Sequence, residues 1–328
     1  MTRSAVTLCA ALLLAPVGGL ACWTSPSAEP PAASARIYVS NQLDNTVSVI
    51  DGAPGKIVAT VRVGISPADM AVSPDRRSVY VANTASNTVS VLDTDGNTVA
   101  TTIALPPRSM PVGVALSPGG RYLYTADAGA NRVSVLDTRA RRVVASVRVG
   151  TQPLSVAVAP DGKTVYAANS GSGDVSVIDA RSHRVVRAIP TGRFPSGVAV
   201  TPDGASVYVT NELSGVTVID ARDGTVQARL PSPSPFSVAI SPDGDRAYVA
   251  GLGPGTVTAV DTGTHRASSS VSVGPPGTDP FTVRATRDAL YVANQGAGTL
   301  SIIDPGTFRT TATVATGNSP FGIAVVQR

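Results

Sequence analysis

Few residues in this chain of 328 have side chains suited to acid–base, nucleophilic or metal chemistry. Both cysteines, Cys9 and Cys22, lie near the N-terminus, so no disulfide can brace the remainder. Two histidines, His183 and His265, occur singly and far apart. No Gly-x-Ser-x-Gly, His-Glu-x-x-His or phosphate-loop pattern is present. Asp93-Thr94-Asp95-Gly96-Asn97 resembles the start of a calcium loop but lacks the later Glu. No catalytic set, metal site or cofactor is therefore expected.

The remaining candidates are charges that interrupt a pattern. Seven short apolar runs each open on a Pro. Two residues later stand Gly113, Ser155, Gly197, Ser237, Thr282 and Gly322 in six of them, but Asp69 in the seventh. Two residues further on the pattern is Ala, except for Arg284. These two charges either pair with each other or hold a ligand. The segments just before the prolines add Arg108, Arg193, Asp279 and Asn318, and Glu212 is the only Glu of the C-terminal three hundred or so residues. Phe194 precedes a Pro where the other runs have Ser, Gln, Met or Asp, so it either stacks on a ligand or packs its own loop. Phe236, Phe281 and Phe321 share a position with Val112 and Leu154 and read as core.

The elements that position these residues are repeats. Tyr38, Tyr80, Tyr124, Tyr166, Tyr208, Tyr248 and Tyr291 recur roughly every 40–44 residues. Each is followed by an Asp that ends an apolar run: Asp51, Asp93, Asp137, Asp179, Asp220, Asp261 and Asp304. One unit carries four strand signals, as in 68–73, 78–82, 88–92 and 98–104, with alternating apolar residues and Pro, Asp, Gly or Asn between them. A unit of this length with four antiparallel strands is a propeller blade. Seven stacked blades give one all-β ring over 36–328. The chain enters at Arg36 in the second strand of a blade and leaves through 321–326, which matches a first strand. The C-terminal strand should therefore complete the N-terminal blade. Seven equivalent Tyr and seven equivalent Asp cannot share one site. The Tyr should pack between blades, and the Asp should cap turns. Strand direction puts the loops before the prolines and those after the Tyr strands on one face, here called upper. His183 and His265 fall in turns of the other face, away from the axis.

With these repeats, Tyr208-Val209-Thr210-Asn211, Tyr80-Val81-Ala82-Asn83 and Tyr291-Val292-Ala293-Asn294 resemble the signature of the YVTN-repeat, YncE-like seven-bladed propellers. Asp127 and Gly251 depart from it at the signature Asn, and Thr286-Arg287-Asp288-Ala289 departs from the Ser-Pro-Asp-Gly turn found at Ser241 to Gly244. The resemblance implies the fold. It does not fix an activity, because such propellers include surface-layer modules, binding proteins and lactonase-like enzymes. A role as an accessory factor in redox or cofactor metabolism follows from the resemblance alone, and no Cys-x-x-Cys-His is present to attach a haem.

The first 21 residues read as a signal peptide, with Arg3 ahead of the apolar run 5–14, too short to span a bilayer as a mature helix. Gly18-Gly19-Leu20-Ala21-Cys22 is similar to a bacterial lipobox, which would acylate Cys22; cleavage after Ala21 by an ordinary signal peptidase is the alternative. Residues 22–35, rich in Pro, Ser and Ala, read as a disordered tether. The net charge of +4 comes from scattered basic residues, so nucleic acid is not an expected partner.

These features make the chain an extracytoplasmic, membrane-anchored or secreted monomer. It would act as a scaffold that binds a protein or small molecule on its upper face. The alternative is a lactonase-like or lyase-like enzyme on that face, with Asp69, Glu212 or Asp279 as base and Arg193 or Arg284 as electrostatic stabiliser.

Overall fold

Short β-branched runs with period-two alternation, cut by Pro, Gly, Asn and Asp, can bury two faces only by stacking against other such sheets. The computed structural model describes residues 35–52 and 55–327. The expected signal segment, the Cys22 anchor and nearly all of the expected tether lie outside the described residues. The described residues form seven four-stranded antiparallel sheets, one per blade. In the second blade the strands are Pro67–Val72, Ser78–Asn83, Thr88–Asp93 and Thr98–Ala104, within a residue or so of the sequence expectation.

The ring closes as expected. The last strand, Pro320–Val326, is the inner strand of the blade that contains Arg36–Asn41. The register pairs Tyr38 with Ala324 and Val39 with Ile323. The Gly322 N–H donates to Ser40 Oγ (2.8 Å), and the Ser40 hydroxyl donates to the Ala68 carbonyl of the next blade (2.6 Å). One hydroxyl thus ties the chain end to two blades.

The core lies between blades. Tyr38, Val47 and Val49 of the first blade pack on Met70, Val79, Val81 and Leu92 of the second. The opposite face of the first blade, through Ile37, Val39 and Ile50, packs on Tyr291, Ala293 and Leu300 of the seventh. All seven repeated Tyr are buried. Their hydroxyls reach toward the turns of the following blade, as in Tyr38 to Asn97 Oδ1 (2.9 Å) and Tyr208 to His265 Nδ1 (2.8 Å). Burial pushes the Tyr208 phenol up to about 12. The repeated Asp cap their turns: the Gly96 N–H donates to Asp93 Oδ1 at 2.6 Å, and Ala140 N–H to Asp137 Oδ1 at 2.8 Å.

The signature Asn sits fully inside and bonds across its blade, as when Asn83 Nδ2 donates to Ser90 Oγ (2.9 Å). Asp127 keeps that place with a different donor arrangement. Ser134 donates to its Oδ2 at 2.5 Å and Thr125 to its Oδ1 at 2.7 Å. Thr125 stands where the other six blades have Val or Ala, so the carboxylate and its extra donor occur together. Burial still raises the Asp127 carboxyl above its ordinary value, against the lowering effect of those bonds. In the seventh blade Thr286 closes the shortened turn by itself, through its N–H and hydroxyl to the Ala289 carbonyl (2.9 Å each).

Candidate functional site

The seven inner strands surround a central channel of about 750 Å3. Its lining runs from Gln42 and Thr84 at the upper loops to Thr286 at the opposite turns. A pocket of this volume is in the usual range for small-molecule sites, roughly 300–1,000 Å3.

Two features break the seven-fold repetition of its wall. The first is an aromatic arc. Phe236, Phe281 and Phe321 occupy equivalent positions on adjacent inner strands, one residue after each Pro, and all three line the channel. Their rings form a continuous run, with centroids 3.7 Å apart for Phe236–Phe281 and 4.5 Å for Phe281–Phe321. This corrects the reading of these three residues as core. They are half-buried and present edges and faces to the lumen. The other four positions of that tier hold Ala68, Val112, Leu154 and Ser196, so the arc covers one side only.

The second feature is the ion pair. Arg284 Nη2 donates to Asp69 Oδ1 at 2.6 Å. The two residues come from blades two and seven, so the bridge passes the first blade's inner strand beside Gly322. A Cβ on Gly322 would stand 2.4 Å from the Ala68 carbonyl and 2.8 Å from the Asp69 Cα. The small residues of that position therefore serve the close approach of neighbouring inner strands. Gly113 and Gly197 show the same crowding, against Leu154 O at 2.7 Å and Phe236 O at 2.9 Å. Asp69 uses this geometry as well: its Oδ2 accepts the Val114 N–H of the next strand (3.3 Å), as Ser237 Oγ accepts that of Val283 (2.9 Å). Both Asp69 oxygens are thus engaged. The Arg284 side chain remains about one-third exposed (34%), with its fork only partly used.

The upper-loop candidates do not converge on the channel. Arg108, Glu212, Asp279, Asn318, Arg193 and Phe194 are not among its lining residues. Asn318 ties its crossing loop to a loop of the first blade: its N–H and Nδ2 donate to the two carboxylate oxygens of Asp44 (2.7 and 2.8 Å). Phe194 is 42% exposed, and the Arg193 guanidinium lies 5.9 Å from its ring centroid. These two line a separate cleft together with Arg229, which sequence reasoning overlooked. The strand register marks Arg229 as an exception, because its six equivalents are Thr60, Thr102, Ser146, Ala188, Ser270 and Thr313. Among the described residues no group of three or more His, Cys, Asp or Glu side chains is arranged to hold a metal ion.

The YNCE-like beta-propeller family model matches residues 2–127, and the Cytochrome D1 heme domain model matches residues 109–199. Among solved structures, Kuenenia stuttgartiensis hydrazine synthase is similar at 25% identity, over 88% of this chain and 99% of that one, with a TM-score of 0.74. A functionally unknown protein from Desulfotomaculum acetoxidans DSM 771 has the same TM-score, 0.74, at 16% identity, over 89% of this chain and 99% of that one. No curated protein matches the chain. The channel does not fit an iron-ligated haem. Among the described residues, no His, Cys or Tyr lines it, and its one Met, Met70, is 2% exposed within the core between blades one and two.

Proposed function

We propose that this seven-bladed β-propeller, similar in its N-terminal part to the YncE-like family, is an exported binding scaffold of the cell envelope, held to the membrane through an acylated Cys22. Its ligand seat is the central channel. The observation that carries this reading is the one-sided arc of three phenylalanines in the same lumen as a partly open Arg284. Such a wall suits a small organic ligand with a flat apolar face and an acceptor group, the ring on the arc and the acceptor on the remaining guanidinium donors. An acid–base role for Asp69 would first have to break its bonds to Arg284 and to the Val114 N–H. That favours binding over turnover.

A thermal-shift screen of small aromatic acids against the mature protein tests the channel. At least one ligand that raises Tm should lose its effect in Arg284→Met and in Phe281→Ala. If every shift survives both substitutions, the channel is refuted as the seat. Attachment is tested separately by fractionation. The wild type should partition with membranes and Cys22→Ala should not, since stable anchoring takes more than one acyl chain. Equal solubility of the two would end the anchoring proposal.

A further inference from the structure

A second cleft, of about 520 Å3, opens between blades four and five and shares no lining residue with the channel. Its walls are the loop Ser170–Gly173, the crossing segment Pro190–Phe194, and Arg229 on the outer strand Val226–Leu230. We propose that it binds an oxyanion carried on an aromatic ring: the anion lies between Arg193 and Arg229, and the ring on Phe194.

Three departures from the repeat meet there. Arg193 is the only charged residue at its loop position, where the other blades have Ile65, Ser109, Thr151, Pro233, Thr278 and Asn318. Phe194 is the only aromatic at the next. Arg229 replaces a small residue. A missing side chain adds space beside them. In three other blades an Asn caps the following crossing loop: Asn45, Asn87 and Asn131 accept the N–H groups of Ser66, Met110 and Gln152 at 2.8, 2.9 and 2.8 Å. Gly173 stands at that place here, as Gly255 and Gly298 do in blades six and seven, so the Phe194 N–H lacks this acceptor and the space of the Asn side chain is open beside the two arginines.

The charges of the cleft are uncompensated. The ion pairs among the described residues involve Arg121, Lys163, Arg222 and Arg284, so neither Arg193 nor Arg229 has a carboxylate within 4 Å. Arg229 is nonetheless held in place. Its Nη1 donates to the Thr191 carbonyl and to Thr217 Oγ1 (3.1 Å). Two guanidinium groups facing one cleft repel each other until an anion lies between them, and guanidinium forks match the oxygens of carboxylate, sulfate and phosphate. An independent observation comes from Thr191. It lines the cleft at 1% exposure, and its hydroxyl has no hydrogen-bond partner. Of the equivalent residues, Val63, Leu105, Val149 and Val273 carry no hydroxyl, and that of Thr316 donates to the Gly298 carbonyl (3.1 Å), so Thr191 alone of these is left with an unpartnered hydroxyl. An unpartnered buried hydroxyl is a cost without a structural return. The ring is specified by Phe194, exposed beside the cation that it helps to orient.

The test is calorimetric titration of the mature protein with phenyl phosphate and with inorganic phosphate at fixed ionic strength. Phenyl phosphate should bind about tenfold more tightly, the equivalent of one stacked ring. Arg193→Gln should weaken both, because its side chain makes no structural hydrogen bond. Phe194→Ala should remove the difference between the two and leave inorganic phosphate unchanged. Gly173→Asn should restore the cap and close the cleft, with a small shift of the Gly192 carbonyl, which lies 2.9 Å from the added Cβ. Arg284→Met, in the channel, should leave both titrations as they are. The proposal is overturned if the wild type binds neither compound, if Arg193→Gln binds as the wild type does, or if Arg284→Met abolishes binding.

Discussion

Ring closure makes the stability of the first blade depend on the last seven residues of the described chain. Truncation after Pro320 removes Ile323, Ala324 and Val326, which are 0%, 3% and 3% exposed, and the half-buried Phe321 and Val325. Ile323 and Val326 alone account for about 3–6 kcal/mol at roughly 1.5–3 kcal/mol per fully buried side chain. Ser40 loses the Gly322 N–H, and Arg36–Asn41 becomes an unpaired inner edge. A domain of this kind has a total stability of about 5–15 kcal/mol. The truncated chain should therefore open or aggregate. The point substitution Ile323→Ala should cost about 2–5 kcal/mol, the range for a buried aliphatic residue that leaves a cavity. Equilibrium urea unfolding measures both, with the midpoint reporting stability and the slope reporting whether the ring still unfolds as one unit. An unchanged midpoint in the truncated protein would refute the closure argument. So would a loss in Ile323→Ala no larger than in an exposed position such as Val186→Ala.

Other expectations follow from single residues. Asp127→Asn should stabilise the protein at neutral pH by about 1–3 kcal/mol, the scale of an imperfectly compensated buried polar group. The wild-type carboxyl is raised in the folded state, so its contribution is fully present below the ordinary carboxylate value of 3.8 and is lost as pH rises through the raised folded value. The difference between variant and wild type should accordingly be smallest in acid and grow with pH, and a pH-independent difference in Tm would contradict this. Gly322→Ala should cost about 1–3 kcal/mol or more, because the added Cβ meets the Ala68 carbonyl and Asp69 Cα, both backbone; a melting temperature equal to wild type would show that the strands separate freely. Tyr208→Phe removes the bond to His265 and should cost about 0.5–1.5 kcal/mol by thermal denaturation, with no change in the ring's size by scattering.

The architecture was legible because each blade repeats the same physical solution. Tyr, Asp and the apolar alternation recur at one spacing, and the missing first strand at one end is present at the other. Asp69 and Arg284 were also legible, since charges in a small-residue pattern stand out, and the ring topology brings blades two and seven to either side of blade one. The aromatic arc was misread for a geometric reason. On a middle strand, alternate side chains point to one neighbouring blade or the other, so period two identifies the core. On an inner strand the side chains of both faces also border the lumen, and alternation no longer separates core from wall. Phe281 satisfies the core pattern and lines the channel at once. Arg229 was missed because outer strands are largely solvated and their charges carry little signal. Only the register, which places it opposite Thr217, shows that it points along its blade toward Thr191.

In a ring of near-identical blades, a departure from the repeat can be judged by whether the protein has compensated for it. Asp127 is compensated in its hydrogen bonds, though not fully in its charge: Thr125 supplies the donor that its second oxygen needs, and the pair reads as a local structural exchange. Asp69 and Arg284 compensate each other across the first blade but leave part of a guanidinium facing the lumen. The cleft between blades four and five is different. Arg193 and Arg229 lack an anion, and the Thr191 hydroxyl lacks a partner. Folding gains nothing from any of these, and each costs a little. Because the core is divided among seven similar interfaces, one blade pair can carry such a deficit without threatening the ring. Binding of a suitable anion would remove the whole deficit at once. That is the physical reason to look for ligands first where the repeat is broken without compensation, and only then where it is broken and repaired.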